Sequence, residues 1–461
     1  MACNVEQAVS TPDIDVPLNA RFMLAFGLLS IALAFELFDF FIAGFLVSAV
    51  APAWQLTFGQ SGVVLLAAGL GAMFGALAGG LASDRIGRKP VLVIGAAVYP
   101  LAAAGISLIA DGDWVAFALL RLIVGLGYGF AGVAQFALIV ELAPRTRRTL
   151  LASASTIPIG VGFILAPAGM SLLYGPLGWR GLAAICLVPI VFSLLFFMFV
   201  PESPEWLAAK GRMEEARRAM RQLFGPSVDT ASLPVAGSKA KGAGGPARGL
   251  LSYPREFTFC ILAYGLTAAG TAGILLWGPL IVGQILGLPP AQTAGYFVLV
   301  SVSGLVGRFA FTALSQRWGR RPTGQLVGFA AAVTVALGAA LPHADVWGMP
   351  LLLLSLIIGA FFFDGGLANL QPHAAEIFPV DLAGRGVAVS QAASSLGKIL
   401  GPAVLALLAG TANVVMPAAT QAAITPGFLT MAGFYAVAGL AFTFFGTETH
   451  VRVPRARSLK G

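Results

Sequence analysis

A chain of 461 residues that is 58% hydrophobic and only 10% charged cannot clothe a soluble surface, which usually needs about a quarter charged residues. Its formal charge of +8 invites an anionic partner such as nucleic acid, but position matters more than sum. Of the 28 Lys and Arg, Arg121, Arg308 and Lys398 fall inside apolar stretches, Arg180 lies in a loop on one side, and the others gather on the opposite side. That asymmetry marks the cytoplasmic face of a membrane protein and requires no nucleic-acid partner.

Residues 1–20 read as a polar cytoplasmic tail without the basic start, apolar run and small-residue cleavage site of a signal peptide. Stretches of the roughly 20 apolar residues that cross ~30 Å of hydrocarbon as a helix follow at 21–50, 61–82, 91–110, 114–140, 150–174 and 181–200. The polar interval 201–255 comes next, with an amphipathic surface helix expected over 204–224 and a Gly/Ala/Lys-rich flexible linker over 225–249. Six further stretches lie at 256–286, 292–315, 323–341, 349–377, 385–410 and 427–446, before a basic cytoplasmic tail at 447–461. The expected fold is therefore an all-α integral membrane protein of twelve transmembrane helices in two six-helix bundles, 21–200 and 256–446. An even number of spans puts both termini in the cytoplasm. Cys3, Cys186 and Cys260 are too scattered for a metal cluster or a disulfide framework and read as packing residues. His373 is a lone histidine near a helix end, with no partners at ligand spacing.

The two halves repeat one plan. Ser83-Asp84-Arg85-Ile86-Gly87-Arg88-Lys89-Pro90 returns as Ser315-Gln316-Arg317-Trp318-Gly319-Arg320-Arg321-Pro322. Gly162 to Pro167 returns as Gly397 to Pro402, and Glu141 with Pro144 returns as Glu376 with Pro379, all at nearly one offset. Repeats of this kind build alternating-access carriers whose binding sites sit near the bilayer midplane.

The segment Gly80-Leu81-Ala82-Ser83-Asp84-Arg85-Ile86-Gly87-Arg88-Lys89 resembles the signature of the major facilitator superfamily, and the copy at 315–321 sits where that family has one. Arg121 followed by Gly125, Gly127 and Gly129, and Pro201-Glu202-Ser203-Pro204-Glu205-Trp206-Leu207, resemble its sugar-porter and organic-acid branches. The resemblance covers nearly the whole chain and implies the major facilitator fold, secondary transport, no cofactor and no enzymatic activity. Physically, Gly87 permits a tight turn, while Asp84, Arg85, Arg88, Glu141 and, in the repeat, Arg317, Arg320 and Glu376 can make charge-assisted bonds that close one conformation. The glycines after Arg121 suit close helix packing.

A charge in mid-bilayer costs at least ~3 kcal/mol, so each one retained is a candidate for function. Glu36, Asp39, Arg121, Arg308, Asp364 and Lys398 are these residues. Arg308 is close enough to its motif loop to be interfacial. Lys398 replaces Phe163 of the first repeat and heads a polar stripe with Gln391, Ser394 and Ser395 on one helix face. Its ammonium needs an anion, either Asp364 or a substrate carboxylate. In the branches resembled here, a first-span acid and a fourth-span arginine form a proton switch, which the resemblance carries onto Asp39 and Arg121; the alternative is a fixed ion pair. Glu36 shares the face of Asp39. Tyr128 and Gln135, at seven-residue spacing from Arg121, and Asp364 with Gln371 are further candidate cavity residues, as are Tyr264, Thr267, Thr271 and Asn369.

These readings point to proton-coupled symport of a small organic anion, a carboxylate such as an aromatic acid, across the plasma membrane by a monomer whose other partners are the proton and the bilayer. A sugar or polyol porter is the nearest rival, although 262–282 holds neither Gln nor Asn, which the sugar branch usually has there. A drug or metabolite exporter and a non-transporting receptor follow.

Overall fold

The structure, a computed structural model, describes residues 18–144, 147, 151, 154–155, 157–225, 252–378, 382–409 and 417–449. They fall into two compact units, one drawn from the chain up to Gln55 and from Val63 through the surface helices, the other from Leu56–Gly62 and the later chain.

The first unit begins with α1 (Ala20–Ala53), whose first turn is capped by the Asn19 side chain accepting from Phe22 N–H at 2.9 Å. The helices α2 (Phe58–Ile86), α3 (Arg88–Gly105) and α4 (Trp114–Glu141) follow, the last capped by Asp113. Next come α5 (Ile157–Ile185) and α6 (Ile190–Phe199), with Gly178 at φ 62°, ψ −176° breaking the α5 helix. Two short helices, α7 (Pro204–Ala209) and α8 (Met213–Phe224), replace the single surface helix expected over 204–224, because the Lys210–Arg212 turn at Gly211 separates them. Trp206, Leu207, Ala216 and Ala219 form their shared apolar core. Within this unit α1 packs on α5, and α3 packs on α4 and α6. Gly125 and Gly129 lie directly against the Ala68 and Ala72 carbonyls of α2, where a Cβ would collide with backbone. That close approach is what the small residues after Arg121 provide.

The second unit starts with α9 (Pro254–Phe259), continues through a π-helical turn (Cys260–Gly265) into α10 (Leu266–Leu286), and proceeds to α11 (Pro290–Trp318) and α12 (Arg320–Ala340). A two-residue-strand hairpin, β1 (Asp345–Val346) with β2 (Met349–Pro350), leads to α13 (Leu351–Phe363), α14 (Leu367–Glu376), α15 (Ala383–Ala409) and α16 (Pro417–Phe444). Here α10 packs on α15, and α12 packs on α13 and α16, so the pairings of the first unit recur. The stretch 349–377 is not one helix: it turns at 364–366 between α13 and α14. Among the described residues eleven segments are long and apolar enough to cross a membrane, one of them the broken Ile157–Phe199.

Candidate functional site

In the first unit the crossing of α1 and α4 brings Asp39 and Arg121 together, 2% and 1% exposed. Arg121 Nη1 donates to the Asp39 carbonyl at 3.0 Å and to its Oδ2 at 3.4 Å, and Nη2 donates to the Phe40 carbonyl at 3.1 Å. Burying a charge is costly unless it is paired and hydrogen-bonded, and two helix carbonyls with spare lone pairs supplement the carboxylate. The pairing is incomplete, however. Among the described residues, Asp39 Oδ1 and Arg121 Nε are buried without a hydrogen-bond partner. A single-oxygen pair of this kind is weaker than a bidentate fork.

One helical turn earlier on α1, Glu36 is 3% exposed and its Oε2 has no partner among the described residues. Gln135 of α4 is fully buried and donates Nε2–H to the Leu29 carbonyl of α1 at 2.7 Å. The Tyr128 ring lies tilted against Phe40, with centroids 6.4 Å apart. Cys186, in the turn after α5, faces Asp39, so this cysteine adjoins the buried charges as well as packing among apolar groups.

In the second unit Asp364 is engaged by Arg308. Arg308 Nη2 donates to Oδ1 at 2.6 Å and Nε to Oδ2 at 3.2 Å, a bidentate fork between α11 and the turn after α13. Arg308 sits two turns before Ser315 on α11, and its side chain is 18% exposed. The turn at 364–366 also breaks the face that Asp364 and Gln371 were expected to share, and the Gln371 side chain lies outside the described residues. Asn369 instead donates to the Arg320 carbonyl at 2.9 Å. Tyr264, in the π-helical turn, donates to the Leu370 carbonyl, and Thr271 shares a hydrogen bond with Tyr435 at 3.2 Å. On α15, Ala393, Gly397 and Gly401 pack against the backbone of 265–273. Gln391, Ser394, Ser395 and Lys398 occupy a different face, with Gln391 and Ser395 exposed and Ser394 and Lys398 half-buried.

The repeated loop motifs form two matching clusters. Arg88 pairs with Glu141 at 3.3 Å, with Asp84 at 3.3 Å, and donates to the Ser83 carbonyl at 2.9 Å. Arg320 pairs with Glu376 at 3.0 Å and donates to Ser315 Oγ at 2.9 Å. Arg85 and Arg317 are exposed. Sequence reasoning missed one participant in each cluster. Neither α3 nor α12 opens with a capping side chain of its own. Glu202 instead accepts from Arg88 N–H at 2.9 Å and Lys89 N–H at 3.2 Å, and Glu448 accepts from Arg320 N–H at 2.9 Å and Arg321 N–H at 3.1 Å. A carboxylate at a helix N-terminus satisfies orphan N–H groups and complements the dipole. The signal was a glutamate followed by Ser or Thr just after the last apolar stretch of each half. Gly87 and Gly319 both adopt φ 103°, and a Cβ at either would collide with the capping carboxylate.

Apolar helices in two repeated sets, with acid–arginine pairs buried among the helices of each set, are the build of a multi-pass membrane transporter. The chain belongs to the Major Facilitator Superfamily, whose family profile matches residues 29–402. It is 28% identical to the 3-(3-hydroxy-phenyl)propionate transporter of Escherichia coli over 92% of this chain and 94% of that one. It is 22% identical to the cis,cis-muconate transport protein of Acinetobacter baylyi over 92% and 94%. The partially occluded inward-open structure of the E. coli xylose transporter XylE shares the fold, with a TM-score of 0.71 at 19% identity, covering 94% of this chain and 99% of that one.

Proposed function

We propose that the protein carries a small organic anion, a carboxylate of the aromatic or muconate kind, together with a proton by alternating access in the plasma membrane. The observation that carries this reading is the Asp39–Arg121 pair, buried yet joined through one carboxylate oxygen. Such a pair can part when the helices shift, and an acid that loses its arginine in a dry site takes up a proton. Glu36 shares this coupling role. Lys398 anchors the substrate carboxylate, with Gln391, Ser394, Tyr128, Gln135, Gln371 and Asp364 lining or shaping the site. The clusters of Arg88 with Asp84 and Glu141 and of Arg320 with Glu376 act as conformational gates, with Arg85 and Arg317 at their rims.

The topology belonging to this reading has twelve spans, six in 21–200 and six in 256–446, with the polar tail 1–20, the interval 201–255 and the tail 447–461 in the cytoplasm. Ile157–Phe199 holds 43 residues, or about 65 Å of helix at 1.5 Å per residue, twice the ~30 Å of hydrocarbon. The break at Gly178 divides it into two spans. The protein acts as a monomer.

The names of the two relatives, a propionate and a muconate, favour an anion. A sugar or polyol substrate is the second reading, favoured by the segment Pro201–Leu207 and the fold shared with a xylose transporter. Purified protein in proteoliposomes, offered aromatic carboxylates, muconate, hexoses and pentoses, separates the two. Saturable carboxylate uptake that is lost in Lys398→Ala supports the proposal; sugar uptake, or carboxylate uptake unchanged in Lys398→Ala, rejects it.

A further inference from the structure

Trp347 is 94% exposed, an indole with almost no contact to the described residues of its own chain. It stands at the tip of the β1–β2 hairpin, where the pairs Val346–Met349 and Asp345–Pro350 leave Trp347 and Gly348 as a two-residue loop. Both loop residues have positive φ, 55° and 77°. Tight hairpin loops with such dihedrals favour Asn, Asp or Gly, and a bulky side chain in the left-handed region is an outlier. Asp345 Oδ1 accepts from Gly348 N–H at 2.8 Å and holds the loop in that shape. The backbone thus opposes a tryptophan, and no packing among the described residues offsets the cost. A local rule broken without such compensation is the mark of a contact made outside the chain.

The place of the hairpin in the fold says what that contact is. Arg320, in the loop cluster with Glu376, opens the 21-residue helix α12, which ends at Ala340. At 1.5 Å per residue α12 is about 31 Å long, one hydrocarbon thickness, so Ala340 lies at the hydrocarbon boundary opposite that cluster. Phe329, Val333, Leu337 and Leu341 are exposed apolar side chains at four-residue spacing, the lipid face of α12. Leu351 N–H, at the start of α13, donates to the Ala344 carbonyl at 2.7 Å, which closes the base of the hairpin against the helix end. Trp347 follows Ala344 by three residues, a reach of at most about 10 Å at ~3.3 Å per residue. The headgroup layer on each side of the hydrocarbon is roughly 5–8 Å deep, so the indole comes within it. That layer suits tryptophan, because the ring leaves bulk water while its N–H keeps polar partners. Asp345 is the one Asp, Glu, Lys or Arg in 341–350, so the tip carries no charged patch for an ionic partner.

We propose that Trp347 anchors the corner between α12 and α13 in the headgroup layer of the leaflet opposite the loop clusters, with phospholipid as its partner. The anchor does not depend on what the protein carries.

Tryptophan fluorescence of the purified protein in vesicles of phosphatidylethanolamine and phosphatidylglycerol tests this, the Trp347 signal being wild type minus Trp347→Phe. The side chain touches so little that phenylalanine fits without repacking. The difference signal should be blue-shifted from an indole in water, quenched more by lipid brominated near the glycerol end of its chains than by lipid brominated at mid-chain, and spared by aqueous iodide. Quenching by iodide without response to either brominated lipid would put the indole in water and overturn the proposal. A blue-shifted signal that neither iodide nor brominated lipid quenches would mark a protein partner, such as a second copy of this chain, and would overturn it equally.

Discussion

The two halves agree at their loop ends and disagree inside. Gly87, Arg88, Glu141 and Glu202 recur as Gly319, Arg320, Glu376 and Glu448, down to the same φ of 103° and the same carboxylate on the next helix's N–H groups. The interior charges follow no such rule. The first half holds Asp39 and Arg121 through one carboxylate oxygen with atoms left over, whereas the second holds Asp364 and Arg308 through a fork of 2.6 and 3.2 Å. The frame repeats while the interior diverges, and on the proposed mechanism the loosely held pair is the one that parts and the forked pair the one that stays.

The sharpest way to break this contrast is to remove each arginine and then each pair. Arg121→Ala strands the Asp39 carboxylate and should cost ~3–5 kcal/mol, seen as a large fall in thermal stability with loss of uptake. Arg308→Ala should destabilise less, since its side chain is 18% exposed. Apolar replacement of both partners, Asp39→Leu with Arg121→Met and Asp364→Leu with Arg308→Met, should restore stability in each half. The first double variant should lose proton-coupled uptake despite its restored stability. Coupled uptake by the first double variant would show its pair to be a fixed brace.

Next in size are the two glycines. Gly87→Ala and Gly319→Ala place a side chain in a backbone region that is essentially glycine-only, costing ~1–3 kcal/mol, and each displaces a capping glutamate. Near-equal losses of thermal stability are expected. A loss confined to one half would show that the loop clusters are alike in geometry but not in energy.

The smallest effect is expected at the surface helices between the halves. The Arg212 guanidinium, at 2.7 and 2.6 Å from the two Glu215 oxygens, holds that carboxyl below its ordinary range. Its folded value is depressed, so the associated stabilisation is present above the unfolded carboxyl's titration and is lost as pH falls through the lower folded one. Both groups are exposed. Arg212→Gln should therefore return the Glu215 titration, followed by NMR, to the ordinary range while leaving uptake unchanged.

The sequence made much of this legible because lipid forces helices and long apolar runs announce them. The repeat was equally plain, since glycine, arginine and proline at a tight turn leave a literal copy. Asp39 and Arg121 could be paired because so few charges compete for partners in the bilayer. Arg308 and Asp364 were not paired: the turn at 364–366 redirects Asp364, and helical periodicity assumes an unbroken helix. Glu202 and Glu448 were missed because a cap supplied from more than a hundred residues away has no local signature. Periodicity grouped Gln135 with a cavity lining but could not show that its amide also bonds the neighbouring helix.

The central claim is that Asp39 moves a proton with the substrate, and one measurement tests it most directly. Proteoliposomes with a pH dye inside are given an inward carboxylate gradient, and acidification is followed alongside substrate entry. The wild type should acidify as substrate enters, and Asp39→Asn should admit or exchange substrate without acidifying. Acidification by Asp39→Asn at the wild-type ratio to substrate would contradict the account.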